Sequence, residues 1–293
     1  MDDDLESLDP PSHADTVKAF VRKLQNAVEH KDASWFDEFS TPDVFVLGSA
    51  ADAVFNDRIQ FLQGLQGLFA KLQHRDLVLH ETETRVGICD SGRNAWFLDR
   101  FNVEVSGDSV IPRSIPIRLT GLLVLDPDWH LSAASWSIPL RGNDYQYALL
   151  AAGRIPPGVS MQNQVSLTAQ PIAGIIHKVM VQPSLMPSLY STRPDAFTIG
   201  STVDEVFFGS EGRNWVGEIV VLPLQFTVRG GIQAAVSPDG STAWLAANID
   251  LSGGLTVPYR FFYVWLNEQD GWQIVLSHDA VCIDPFDPGF DYP

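Results

Sequence analysis

The chain has 293 residues, a formal net charge of −17 and 45% hydrophobic residues, which is typical of a globular protein with about two domains. The acidic balance disfavours nucleic acid and anionic membrane surfaces as partners, because both would repel the protein. No apolar run is long enough to cross a bilayer, and the N-terminus lacks the basic start and apolar run of a signal peptide. Cys89 and Cys282 are too few for a disulfide framework, so we expect a cytoplasmic protein in which both pack as small buried side chains.

The first half begins with helical spacing and then changes to strand-like runs. Val17, Phe20 and Leu24 share one helix face, with Asp15 or Thr16 as the expected N-cap. Further helices are predicted at 34–39 and 57–72. The strand-like segments are a short pair, Asp43–Leu47 and Val54–Phe55, and four long runs, Leu77–Ile88, Asn94–Val105, Ile115–Leu125 and His130–Leu140. Helices segregated from antiparallel strands predict an α+β fold.

One segment of the first half recurs in the second. PDVFVLGSAADAVF at 42–55 and PDAFTIGSTVDEVF at 194–207 agree at eight of fourteen positions. So long a period indicates duplication of a whole small domain rather than a solenoid. The same order of elements is predicted around the second copy: helices in Ile172–Leu189 broken at Pro183 and Pro187, a short pair at Ala196–Ile199 and Val206–Phe208, a helix at Trp215–Leu222, and strands at Thr227–Val236, Ala243–Leu251, Val257–Leu266 and Trp272–Val281.

This order, with D-x-F-x-x-G-S on the short hairpin and then VPYRFFYVW at 257–265 and DGWQIVLSH at 270–278, resembles the SnoaL-like branch of the NTF2-like superfamily. The resemblance implies two cone domains, at 14–140 and 171–283, with a linker at 141–170 and a Pro-rich tail at 284–293. In each, N-terminal helices lie on a curved antiparallel sheet around an apolar interior, the cone. The family usually dimerises through its sheets. We therefore expect the tandem chain to form this pair internally, as a pseudo-dimer, and to be a monomer.

Arg118 and Arg260 occupy equivalent positions in otherwise apolar strands. A guanidinium that faces the cone needs an anionic partner, because an unpaired buried charge is costly. One interpretation is a clamp for a ligand carboxylate or enolate. The alternative is an ion pair with an acid such as Asp99, Glu104 or Asp250, or stacking between the sheets. The family's isomerases carry an aspartate base and a protonated acid near these elements. Here the corresponding positions hold glycine (Gly48 and Gly200) and these arginines, so that chemistry is not expected.

His278 is the candidate catalytic residue, because a histidine at the mouth of a cone could act as a general acid or base at neutral pH. The first half has Ser135 at the equivalent position, so only the second cone would be active. The alternative is a hydrogen-bonded structural histidine.

Four further residues are candidate ligand contacts. Trp96 and Trp244 are equivalent, and either could stack on an aromatic ligand or simply pack in the core. Asp99 and Asn248 belong to a polar cluster that the two halves share only in part, since Ala247 replaces Asp99 in the second half. If the cones bind ligands, these differences predict that the ligands differ.

No nucleotide-binding, nucleophile or metal motif is present in the sequence, and the seven histidines are scattered, so no cofactor and no metal site is predicted. Two functions remain open. The first is binding of a small apolar ligand with an anionic or carbonyl end in one or both cones, with acid–base chemistry as an extension. The second is a non-catalytic scaffold whose cones are filled by side chains such as Phe261, Phe262, Tyr263 and Trp265.

Overall fold

The computed structural model describes residues 12–50, 53–107, 113–140, 161, 163–223, 225–252 and 256–282. The predicted α+β class is confirmed, and the two halves share one order of elements. The first half consists of α1 His13–Glu29, α2 Ala33–Glu38, β1 Ser40–Leu47, β2 Val54–Phe55, α3 Arg58–Lys71, β3 Arg75–Ile88, β4 Asn94–Gly107, β5 Arg113–Leu125 and β6 Trp129–Ser137. The second consists of β7 Gln164–Val165, α4 Gln170–Val181, a 3₁₀ helix at Pro183–Leu189, β8 Phe197–Ile199, β9 Val206–Phe208, α5 Ser210–Ile219, β10 Gln225–Val236, β11 Thr242–Ser252, β12 Thr256–Glu268 and β13 Gly271–Val281.

Four helices, α1, α2, α4 and α5, begin earlier than the sequence predicts, and the structure shows the cause for α1 and α5. Helix α1 starts at His13 because the Ser12 hydroxyl, rather than Asp15 or Thr16, caps it by accepting a hydrogen bond from the Asp15 N–H at 3.2 Å. Helix α5 starts at Ser210 because Gly209, with a φ of 52°, turns the chain directly from β9 into the helix. A Cβ at Gly209 would lie 2.9 Å from the Arg193 carbonyl oxygen, so this turn favours glycine.

The two sheets have the same strand order. The first is β2-β1-β6-β5-β4-β3 and the second is β9-β8-β13-β12-β11-β10-β7. The long strands form an antiparallel meander, and the short strand of each half joins it in parallel, β1 beside β6 and β8 beside β13. The extra strand β7 comes from the segment predicted as linker and pairs with β10. Residues 141–160 of that linker and the predicted tail lie outside the described residues.

Each sheet has a helix-facing side and a side that faces the other sheet. The helix-facing sides form two separate cores. The opposite sides meet in a third apolar cluster, which includes Phe45, Leu47, Trp96, Leu98 and Leu122 from the first half and Phe197, Ile199, Trp244, Phe262 and Val264 from the second. At its centre the rings of Phe45 and Trp244 stack with centroids 4.6 Å apart. Segments 119–123 of β5 and 261–265 of β12 are therefore buried on both sides, because each side of the sheet is covered there.

None of the described helices is both long and apolar enough to cross a membrane.

Candidate functional site

A cavity of about 150 Å³ lies in the second cone, between the sheet and the helices. Its helix side is formed by Val179, Met186 and Trp215, and its sheet side by Phe226 and Phe261. These side chains are apolar, and apolar walls with a few polar groups are typical of small-molecule sites. The second cone is therefore not completely filled by protein side chains.

The aromatic residues expected to fill this cone under the scaffold interpretation have different positions. Phe261 and Tyr263 line the cavity, and Trp265 lies beside Tyr263 with ring centroids 6.5 Å apart. Phe262 faces the other sheet. Strand alternation explains the split, because consecutive residues point to opposite sides of the sheet.

The polar residues of the cavity come from two places. Asp279 on β13, Tyr263 on β12 and Tyr190 after the 3₁₀ helix form one group. Ser201 and Glu205, in the turn between β8 and β9, form the other. Both tyrosine side chains are buried, and among the described residues no hydrogen bond reaches Asp279 Oδ1. A buried oxygen without a partner is costly, so this carboxyl is suited to bind a ligand group.

Burial raises the pKa of Asp279 to about 8, and the nearby Glu205 charge adds to the rise, while hydrogen bonding with Tyr263 opposes it. The carboxyl is therefore mostly protonated at neutral pH and can donate a hydrogen bond. Burial also raises the pKa of Tyr263 and of Tyr190, with the Asp279 charge as the next contribution. Both phenols thus stay protonated, and the group consists of neutral hydrogen-bond donors and acceptors.

The turn between β8 and β9 forms one wall of the cavity. The Glu205 carboxylate accepts a hydrogen bond from the Thr202 N–H at 2.8 Å, and the Ser201 hydroxyl lies 3.3 Å from the Tyr259 hydroxyl. Gly200 is required here, because a Cβ at this position would meet the Glu205 carboxylate. The wall is thus shaped by its own hydrogen bonds.

The first cone has different residues at the corresponding positions. Strand register places Trp136 where the second half has Asp279, and Gly121 where it has Tyr263. The Phe97 ring covers Gly121, where an added Cβ would lie 2.6 Å from it, and the Trp136 ring packs near Phe61 with centroids 6.5 Å apart. Aromatic side chains therefore occupy the equivalent of the polar group.

Asp99 lies in the first cone, completely buried beneath α1. Its carboxylate accepts hydrogen bonds from the Gln25 amide at 2.8 and 3.0 Å and from the Thr84 hydroxyl at 2.7 Å. Burial raises its pKa to about 6 despite these donors. Asp99, a predicted ligand contact, is thus hydrogen-bonded within the first half. It does not line the cavity of the second half.

The two predicted arginines lie between the halves rather than in the cones. Arg118 donates to the carbonyl oxygens of Gly200, at 2.8 Å, and Thr202, and Arg260 donates to that of Gly48. Each guanidinium thus binds the hairpin turn of the opposite half, and neither lines the cavity. The carbonyl dipoles in these contacts stabilise the buried positive charge.

His278 lies next to Asp279 in sequence but on the other side of the sheet. Its Nδ1 lies 2.8 Å from the Thr120 hydroxyl and its Nε2 2.7 Å from the Ser137 hydroxyl, both in the first half. Burial, together with the charge of Arg118, lowers the pKa of His278 to about 3. This neutral imidazole joins the halves, and the structure gives it no access to the cavity.

The remaining candidates also face the other sheet. Trp96 donates its indole N–H to the Asp195 carbonyl of the second half at 2.7 Å, and Trp244 stacks on Phe45. Asn248 is buried and pairs in register with Arg260. None of the three lines the cavity described above.

The structure therefore assembles a set of residues that the sequence analysis did not select: Asp279, Tyr263, Tyr190 and Glu205. One signal could have found Asp279 and Tyr263. Their counterparts in the first half are different residues, Trp136 and Gly121. In addition, the neighbours of both residues along the strand face the other sheet, so Asp279 and Tyr263 must face the helices. The described residues contain no cluster of metal-ligating side chains.

Comparison with known proteins finds a match to part of the first half. Residues 17–141 match the family model of the SnoaL-like domain. The match ends before the second half, where the strand order repeats. No curated protein matches the chain.

Several solved structures are similar to parts of the chain. An NTF2-like protein of unknown function from Pseudomonas putida KT2440 is 12% identical over 44% of this chain and 88% of its own, with a TM-score of 0.39. A ketosteroid isomerase-like protein from Erwinia carotovora atroseptica is 11% identical over 44% and 98%, with a TM-score of 0.37. ActVI-ORFA from Streptomyces coelicolor is 13% identical over 42% and 93%, also with a TM-score of 0.37. Each of the three covers less than half of this chain.

Proposed function

With a SnoaL-like domain at residues 17–141 and the same strand order in the second half, we propose that this chain binds a small, mostly apolar ligand in the second cone. One observation carries the proposal. Asp279, which lines the cavity, is mostly protonated at neutral pH because its pKa is raised to about 8, and its Oδ1 has no hydrogen bond among the described residues. The ligand would supply the missing partner.

The polar end of the cavity favours a carbonyl or hydroxyl group and disfavours an anion. Protonated Asp279 and the Tyr263 hydroxyl can donate to a carbonyl oxygen. A ligand carboxylate would instead meet the negative charge of Glu205, with no cationic residue among the side chains that line the cavity. Of the two ligand ends that the sequence left open, the carbonyl is the one we propose.

Exposed apolar residues lie close in sequence to residues that line the cavity. Val181, 87% exposed, and Leu185, 39% exposed, follow the lining residues of α4 and the 3₁₀ helix. Val221, 79% exposed, and Leu222, 48% exposed, end the segment after α5. Exposed apolar groups around a cavity favour a ligand whose apolar part extends beyond it.

The same arrangement has the parts for acid–base chemistry. A neutral carboxyl and a phenol can stabilise the negative charge that develops on a carbonyl oxygen during enolisation. The Glu205 carboxylate across the cavity is the available proton acceptor. Binding is the primary proposal, and proton transfer is its extension.

The scaffold function is the second candidate, and the first cone favours it. There Trp136 stands where the second half has Asp279, and Asp99 is already satisfied by Gln25 and Thr84. The first half would then serve as the supporting partner of the second.

Calorimetric titration with methyl naphthyl ketone and with naphthoate, which have similar shapes, tests the proposal. At pH 7 the wild-type protein should bind the ketone and bind the anion at least about tenfold more weakly, because the anion gains no donor advantage and meets Glu205. Ketone binding should weaken as the pH rises through about 8, where Asp279 ionises.

Three variants locate the site. Asp279→Leu should weaken ketone binding about tenfold, which is the loss of one hydrogen bond. Asp279→Asn should keep binding, because the amide still donates, but without the decline above pH 8. Asp99→Asn changes the buried acid of the first cone and should leave binding intact. Ketone binding that is lost in Asp99→Asn and kept in Asp279→Leu would move the site to the first half and refute the proposal.

A further inference from the structure

We propose that Arg118, a residue of the first half, is a positioning residue for the cavity of the second half, because it holds the turn that forms one cavity wall. The inference rests on the proposed ligand binding and extends it, since it makes the ligand site a property of both halves. It also explains why an arginine that does not itself line the cavity occupies equivalent positions in the two halves.

The Arg118 side chain is 2% exposed and reaches across the sheet–sheet contact. One guanidinium nitrogen donates to the Gly200 carbonyl at 2.8 Å and the other to the Thr202 carbonyl. These two residues flank Ser201, which lines the cavity. A planar guanidinium that binds two carbonyls fixes both the distance and the orientation of the turn.

The first half also holds the same turn through its backbone. The Leu140 N–H donates to the Ser201 carbonyl at 2.8 Å, and the Leu140 carbonyl accepts from the Val203 N–H at 2.7 Å. The chain of the first half thus adds a short parallel bridge to the turn of the second. Three consecutive residues, 200–202, are therefore bonded to the other half, and two of them, Gly200 and Ser201, line the cavity.

Movement of this turn would move Glu205. The Gly200 N–H donates to the Glu205 carbonyl at 2.9 Å, and the Thr202 N–H donates to its carboxylate at 2.8 Å. Glu205 is the residue whose charge acts on Asp279 across the cavity. Arg118 is thus linked to Glu205 through Gly200 and Thr202, the two residues whose carbonyl oxygens it binds.

The duplication supplies a matched control. Arg260 makes the reciprocal contact, donating to the carbonyl oxygen of Gly48 in the turn of the first half. In that turn Ala53 stands at the position of Glu205. The backbone bond is the same in both turns: the Ala53 carbonyl accepts from the Gly48 N–H, and the Glu205 carbonyl accepts from the Gly200 N–H. Removal of either arginine therefore disrupts an equivalent buried contact, but only Arg118 holds the wall of the cavity.

The test compares methyl naphthyl ketone affinity, by calorimetry, in the full-length wild-type chain, Arg118→Met and Arg260→Met. Arg118→Met should bind the ketone at least about tenfold more weakly, the equivalent of one lost hydrogen bond at a displaced wall. The ketone affinity of Arg260→Met should stay within about twofold of the wild-type affinity, which is a smaller change than the loss of one ligand contact would cause. Urea unfolding measures the stability of both variants, which should fall by similar amounts.

The pH dependence of ketone binding provides a readout that a general loss of stability would not change. Besides Asp279, the titratable residues that line the cavity are Glu205, Tyr190, Tyr259 and Tyr263. Since the Glu205 charge raises the pKa of Asp279, displacement of the turn should move the pH at which ketone binding is lost downward in Arg118→Met and leave it unchanged in Arg260→Met.

The paired substitutions Arg118→Lys and Arg260→Lys serve if the methionine variants do not fold. Lysine keeps the charge but cannot bind both carbonyls in one plane, so Arg118→Lys alone should weaken ketone binding, by about threefold. Equal affinity and an equal pH midpoint in the Arg118 and Arg260 variants would overturn the inference while ketone binding by the wild type still stands. Absence of ketone binding by the wild type would overturn the proposed function itself.

Discussion

Replacing Asp279 with asparagine should remove a loss of folding stability that the wild-type protein shows between pH 6.5 and 8. Burial raises the pKa of Asp279 from 3.8 to about 8 in the folded protein. Over this range the folded state therefore holds a proton that the unfolded state has released, and stability falls as the pH rises. Below pH 3.8 both states are protonated, and above about pH 8 both are ionised, so the fall is confined between these values.

The lower limit of the window is set by two other buried groups. The pKa of His278 is lowered from 6.5 to about 3, so the ring stays neutral in the folded protein while it is charged in the unfolded protein. Because of His278, the unfolding free energy increases as the pH rises from about 3 to 6.5. The pKa of Asp99 is raised from 3.8 to about 6. Because of Asp99, the unfolding free energy decreases as the pH rises from 3.8 to about 6. From pH 6.5 to 8 Asp279 contributes a fall of about 1.4 kcal/mol per pH unit, or roughly 2 kcal/mol in total.

Urea unfolding followed by tryptophan fluorescence at pH 6.5 and pH 8 measures this fall. The wild type should lose about 2 kcal/mol of unfolding free energy, and Asp279→Asn should lose almost none. Asp270→Asn is the matched control, because Asp270 is exposed in the turn of the same hairpin and Asn-Gly suits that turn equally well. If the wild type and Asp279→Asn lost the same free energy, the carboxyl would already be ionised in the folded protein and the reasoning would be refuted.

Three further predictions concern the supporting structure. The His278 ring should remain neutral at pH 5, as ¹³C NMR of labelled histidine would show, and a charged ring there would contradict its burial between the halves. Asp99→Ala should cost about 1–3 kcal/mol in urea unfolding at pH 7, because the Gln25 amide and the Thr84 hydroxyl lose their acceptor, whereas Asp99→Asn should cost less. The chain should sediment as a monomer of 32.3 kDa, because the sheet faces that would form a dimer are covered within it; a tight dimer would count against this pairing.

The fold could be predicted closely from the sequence because its signals are local or repeated. Apolar alternation located the eight long strands to within a few residues, and helical spacing located α1 and α3. The larger errors lie at helix starts, where one capping hydroxyl at Ser12 or one glycine at 209 decides the boundary. Strand β7 was missed because two residues that pair with β10 have no periodicity of their own.

The candidate site could not be predicted in the same way, because it depends on which side of a strand each residue faces. His278 and Asp279 are neighbours in sequence, yet one bonds to Thr120 and Ser137 of the other half while the other lines the cavity. A slip of one residue exchanges the two roles. The register that resolves this comes from pairing with β12 and β8, and that pairing is not visible in the sequence of β13 alone.

The reciprocal contacts between the halves give a physical reason for the division between shared and unshared polar residues. Arg118 and Arg260 each bind a turn of the opposite half, and loss of either would leave buried carbonyl groups without their donor. A ligand cavity does not require the same residues in both halves, since a cavity in one half is sufficient for binding. Trp136 can therefore occupy the first cone while Asp279 remains in the second. In this chain the shared buried arginines lie at the contact between the halves, and Asp279, whose counterpart in the first half is Trp136, lines the cavity.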